Sequence, residues 1–133
     1  MPMTAKQILA RTPDVIHNRA VGSRVSGRNP RFAKFRGKTV PVLKAVVRSV
    51  GSGDPHVCTV AALTEKKLSE SPVVVDCDCE FFTFNCEWAL AQKGAAVIRR
   101  SNGEPPDARN PKYVPMCCKH LVTVLNEIVK TNM

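Results

Sequence analysis

Cys77, Cys79, Cys118 and His120 are the residues whose types and spacing could do chemistry, arranged as two x-spaced pairs, Cys77-x-Cys79 and Cys118-x-His120. Zinc prefers thiolate and imidazole ligands at the four corners of a tetrahedron, and a shell filled entirely by protein marks a structural rather than a catalytic site. Two ligands one residue apart can both turn inward where a strand ends or a helix begins, because the backbone is extended there. Each pair precedes a segment that reads as a helix. The amides exposed at a helix N-terminus favour thiolate over thiol, the form the metal requires. A Cys–His nucleophile fits the pattern less well. Cys118 and His120 stand two apart and would not face each other on a helix, and no orienting acid or oxyanion motif accompanies them. The plainer alternative is that these cysteines are buried small hydrophobes near a surface histidine.

The other candidates are weaker. Cys117 could compete with its neighbour, but Cys118 is the residue that forms the x-spaced pair with His120. Cys58 in a strand and Cys86 in a helix read as inert core thiols, and His17 and His56 as surface residues. Asp76, Asp78 and Glu80 interleave the first pair, either as hydrogen-bond acceptors for it or as a solvated acidic rim. The six cysteines accompany an N-terminus, MPMTAKQILARTPD, without the apolar stretch of a signal peptide. A reducing compartment is expected, in which thiols bind metal more often than they form disulfides. No segment approaches the roughly 18 consecutive apolar residues of a membrane-spanning helix.

The elements that must position these ligands follow from pattern. Residues 4–11 read as a short helix capped by Thr4 and stopped before Pro13. TVPVLKAVVRSV from Thr39 reads as a strand, GSGDP at 51–55 as a turn, and HVCTVAAL at 56–63 as the returning strand of a hairpin. VVVD at 73–76 is a third strand, running into Cys77. EFFTFNCEWALAQKG is helical, with Phe82, Cys86, Ala89 and Lys93 on one stripe and Gly94 as its stop. AAVIRR reads as a short strand, SNGEPPDARNPKYVP as a loop long enough to suggest a task, and CCKHLVTVLNEIVKT as the last helix. With 44% hydrophobic but only 5% aromatic residues, the core is mostly aliphatic, and a metal staple would help hold it.

Charge divides the chain. Residues 1–50 hold eleven basic residues and one acidic, a net +10, whereas the remainder holds nine basic and ten acidic, a net −1. Arg19, Arg24, Arg28, Arg31, Lys34, Arg36 and Lys38 lie in a stretch rich in Gly, Ser and Asn without apolar period, which reads as an extended basic arm. Guanidinium forks suit phosphate, and Phe32 and Phe35 interleave them. An acidic partner is implied: nucleic acid, an anionic membrane or an acidic protein surface.

The C-x-C…C-x-H pattern resembles the SWIM zinc-binding family over about residues 39–130, with a longer insert than that family usually carries. The stretch WALAQKGAAVIRRSNGEPPDARNPKYVPMCCKHL resembles small SWIM-like proteins of tailed bacteriophages more specifically. The resemblance implies zinc binding and interaction with DNA or protein without enzymatic activity, and carries over only the four ligands. The expected architecture is α+β: a basic arm over 1–38, then a zinc-stapled domain over 39–133 with a short antiparallel sheet and two helices. The expected role is a non-enzymatic component of a phage particle or similar assembly, its arm docking on neighbouring subunits. The alternative is a DNA- or RNA-binding accessory protein. Location in a virion or the bacterial cytoplasm is expected, with neither membrane nor small-molecule substrate.

Overall fold

The structure, a computed structural model, describes residues 2–49, 54–99, 101 and 103–133. Helix α1 (Ala5–Arg11) starts where the sequence places it. The Thr4 hydroxyl accepts from the Gln7 amide and the Gln7 side chain accepts from the Thr4 amide, a capping box. Pro13 forces Thr12 into extended backbone and opens a second short helix, α2 (Asp14–Ala20), which the sequence reading did not anticipate.

Four strands follow in a simple antiparallel meander: β1 (Ser23–Phe35), β2 (Lys38–Ser49), β3 (His56–Ala62) and β4 (Val73–Cys77). The expected strands at 39–50, 56–63 and 73–76 are β2, β3 and β4. Residues 51–53 of the expected turn, Arg100, and Asn102 of the Ser-Asn-Gly loop lie outside the described residues. The extended arm expected over 1–38 is not seen. Its residues form α1, α2 and β1, and the boundary expected at 38/39 falls at the β1–β2 hairpin. The Gly, Ser and Asn content concealed the strand because β1 is an edge. Its partner β2 satisfies it from one side, and solvent tolerates polar residues on the other. A bulge between Val25 and Gly27 further hides the alternation by placing Val25 and Arg28 on the same face.

One face of the sheet is covered by α4 (Lys119–Thr131), which packs against all four strands, with α1 and α2 packed on α4. Leu43, Ala45 and Val47 of β2, Val60 of β3 and Val75 of β4 meet Leu121, Leu125 and Ile128 in this core. The far edge, β4, is closed by the chain itself: the Val73 amide donates to Met3 and the Val75 amide to Ala95. Among the described residues of the stretch expected as a strand at 95–100, the bond at Ala95 is the one seen to β4. Ala95 and Ala96 are both buried, and residues 95–99 stay irregular.

Thr12 ties the two ends of the chain together. Its hydroxyl donates to the Ile8 carbonyl at 2.8 Å and accepts from the Cys117 amide at 3.1 Å, both buried. Thr12→Val should leave the Cys117 N–H without a partner and cost about 1–3 kcal/mol. The check is a lowered urea midpoint at unchanged slope.

Candidate metal centre

Cys77 ends β4, and its side chain points to the α4 face of the sheet. Cys79 follows two residues later, just before a π-helical turn (Phe82–Cys86) that runs into α3 (Glu87–Gln92). The Phe82 amide donates to the Cys79 sulfur at 3.4 Å, so the helix start does direct an N–H at a ligand. Cys118 is the N-cap of α4, and His120 lies in that helix's first turn.

These four residues come together. One ligand atom from each lies within 4.8 Å of all the others, and all four side chains are buried. The Cys77 sulfur and His120 Nδ1 are 3.8 Å apart. A tetrahedral shell with metal–sulfur bonds of about 2.3 Å has donor atoms about 3.8 Å apart, so the cluster has the size of a metal shell.

Its electrostatics point the same way. Hydrogen bonds from Cys118, then from Cys58 and Cys79, hold Cys77 far below the ordinary thiol range. A hydrogen bond with Cys118 draws Cys79 down, but Cys77, burial and the Cys77 charge together push it up to about 12. Burial pushes Cys118 well up, with Cys77 and Cys79 adding to it. The crowded sulfurs thus oppose one another's ionisation, Cys77 being favoured as thiolate and Cys79 and Cys118 disfavoured. A divalent cation at their centre resolves this conflict, because a coordinated thiol loses its proton outright.

Cys117 does not compete. It is buried on the other side, its sulfur 3.6 Å from the Thr12 hydroxyl, and burial pushes it up to about 12. Cys86 is a core thiol, as expected, raised by burial. Cys58 is closer to the centre than expected. It stands directly opposite Cys77 in the β3–β4 ladder, and Cys77 together with burial pushes its thiol well up. His56 is partly exposed, as expected of a surface residue, but it also borders the centre. Its ring lies 4.4 Å from the His120 ring, and its Nδ1 donates to the Asp78 carboxylate at 2.9 Å. Asp78 also accepts from the Val57 amide at 3.2 Å, which ties the Cys77–Cys79 turn to β3. A signal for these neighbours existed, since His56-x-Cys58 repeats the spacing of the ligand pairs, but it acquires meaning only once the β3–β4 register is known.

The basic residues do not act as one group. Arg19 lies in α2 and lines a hollow with Cys79, Phe81, Cys118 and Lys119, beside the centre. Arg28 faces α4 and is ion-paired with Glu127, and Arg24 lies near the same end of that helix. Arg31, Lys34, Arg36 and Lys38 gather around the tip of the β1–β2 hairpin, all exposed. Among the described residues no helix is long and apolar enough to cross a membrane. The chain matches no protein-family model, no curated protein and no solved structure. The likeness to SWIM proteins therefore remains one of motif.

Proposed function

We propose that this chain is a zinc-stapled interaction module, without a reaction of its own, that docks on an anionic macromolecule. The observation that carries the reading is the convergence of Cys77, Cys79, Cys118 and His120 on one buried point from two separate parts of the fold. Three thiolates and an imidazole in a tetrahedral array suit zinc above other common divalent ions. A shell complete with four protein ligands supports a structural role, because catalytic zinc keeps a position open for water or substrate. The partner is read from charge: residues 23–49 hold eight basic residues and no acidic one.

Elemental analysis of the purified protein should give one zinc per chain, and the protein should be retained on an immobilised polyanion and released by salt. Zinc-free folded protein, or passage through the polyanion at low salt, would overturn the corresponding half of the reading. The exposure of Phe32 (73%) and Val21 (85%) favours a second reading, a subunit of a phage particle or similar assembly that buries these side chains against neighbours. A single-chain mass at every concentration tested would rule that out.

A further inference from the structure

The ladder between β2 and β3 begins at Val42, paired with Ala61, whereas β1 and β2 stay paired for four rungs more, from Phe32–Pro41 to Phe35–Lys38. The third strand is lost at Pro41, a residue without an amide to give to a ladder. The result is a two-stranded ribbon that continues beyond the last β2–β3 rung by roughly 13 Å. One side of it is packed down along its whole length, with Val40 fully buried and Ala33 and Phe35, the latter in the last rung beside the turn, packed on the core, so the other side is the one left to a partner. Its tip is not apolar. The eight residues Arg31–Lys38 include four cations and no acid.

The turn itself carries a charge where local rules ask for none. Arg36 and Gly37 both have positive φ, 51° and 82°, as a two-residue hairpin turn requires. Asn or Gly is the usual residue at the first of these positions, and a residue with a bulky side chain there costs roughly 1 kcal/mol. Arg36 occupies it, its guanidinium 5.0 Å from the Phe35 ring. Departures from local preference of this kind concentrate at sites with a function.

We propose that the β1–β2 ribbon is a duplex-DNA-binding element that enters the major groove and contacts phosphates through Arg31, Lys34, Arg36 and Lys38. The inference rests on the anionic-partner reading and narrows it. A two-stranded ribbon fits the B-form major groove, which is about 12 Å wide, whereas the deep, narrow groove of duplex RNA does not admit it. Phe32 is the one strongly exposed aromatic on the ribbon, too little for the stacked platform that single strands need.

The test uses the full zinc-loaded chain and a 20-base-pair DNA duplex of arbitrary sequence, titrated across a salt series, with the corresponding single strand, an RNA duplex and polyglutamate as competitors. The wild type should bind the DNA duplex in preference to all three, with a log–log salt slope near −4 for about four phosphates. The variant R31Q/K34Q/R36Q/K38Q should lose on the order of 100-fold in affinity or more at 0.1 M salt and most of that slope. K66Q/K67Q/K112Q/K130Q removes the same charge elsewhere and should bind nearly as the wild type does. Unchanged zinc content and circular dichroism verify that both variants are folded. Equal losses in the two variants, an unaffected ribbon variant, or preference for a single strand, duplex RNA or polyglutamate would overturn the ribbon assignment and leave the anionic-partner reading standing. No binding by the wild type to any polyanion at low salt would overturn both.

Discussion

Removing the metal should lower the melting temperature by roughly 10–30 °C, measured by thermal scans with and without a strong chelator at fixed protein concentration. Structural zinc binds small domains with about 10–16 kcal/mol of apparent free energy at pH 7. With free zinc near 1 μM, mass action turns that affinity into about 2–8 kcal/mol of stability. A domain of this size shifts by about 4 °C for each kcal/mol. That loss is comparable with the whole stability of an ordinary domain, so at the upper end the chelated chain is unfolded at room temperature. The aliphatic core sits between the sheet and α4, and the ligands are what tie the end of β4 directly to the first turn of α4.

Substitution should reproduce the effect residue by residue. Cys77→Ser, Cys79→Ser and Cys118→Ser should each lose stoichiometric zinc and melt low with or without chelator. Cys117→Ser and Cys86→Ser should keep one zinc per chain, because neither sulfur belongs to the cluster. The metal should also be released as pH falls, since protons compete for the same thiolates and imidazole. A chelator-insensitive melting curve in a protein shown to contain zinc would mean that the ion is not structural.

The ligand set was legible because its signal is short-range: two x-spaced pairs, each at the start of a helix, require no knowledge of the fold. The strands β2, β3 and β4 were legible because each has a buried face and apolar residues in runs. What failed shares a cause. β1 carries polar and charged residues on an edge where only one partner constrains it, and the bulge at Val25–Gly27 breaks its period. The roles of Cys58 and His56 depend on register across strands, which composition does not encode. Glu87 is another case. A glutamate in a helix reads as surface, yet it is fully buried and accepts a 3.0 Å hydrogen bond from the Ser101 amide. The π-helical turn just before it, at Phe82–Cys86, is equally silent in sequence, since the phase shift that one extra residue makes cannot be read over so short a helical segment.

The long loop leading to Cys118 gives the second large expected effect. Asn110 is buried within it and uses its whole side chain. The amide donates to the Asn85 and Val114 carbonyls, each at 2.9 Å, and its oxygen accepts from the Val114 amide at 3.1 Å. One side chain thus clamps the loop to the π-helical turn after Cys79, joining the approach to one ligand pair with the exit from the other. Asn110→Ala removes all three hydrogen bonds and leaves the Val114 amide without its partner, while the Val114 carbonyl keeps the Met116 amide. An orphaned buried group costs about 1–3 kcal/mol, and a bond lost from a group that keeps another partner about 0.5–1.5 kcal/mol. Partial solvation through the loosened loop limits the sum, and about 2–4 kcal/mol is expected, seen as a lower urea midpoint for the zinc-loaded protein. If the clamp also positions Cys118, zinc affinity should fall by about tenfold in competition with a chromophoric chelator, as for supporting residues at other metal sites. Asn110→Asp keeps the acceptor for the Val114 amide but removes both donors, so it should fall between wild type and alanine on each measurement. Lost stability with unchanged zinc affinity would show that the loop is anchored for its own sake and that the centre is positioned by β4 and α4 alone.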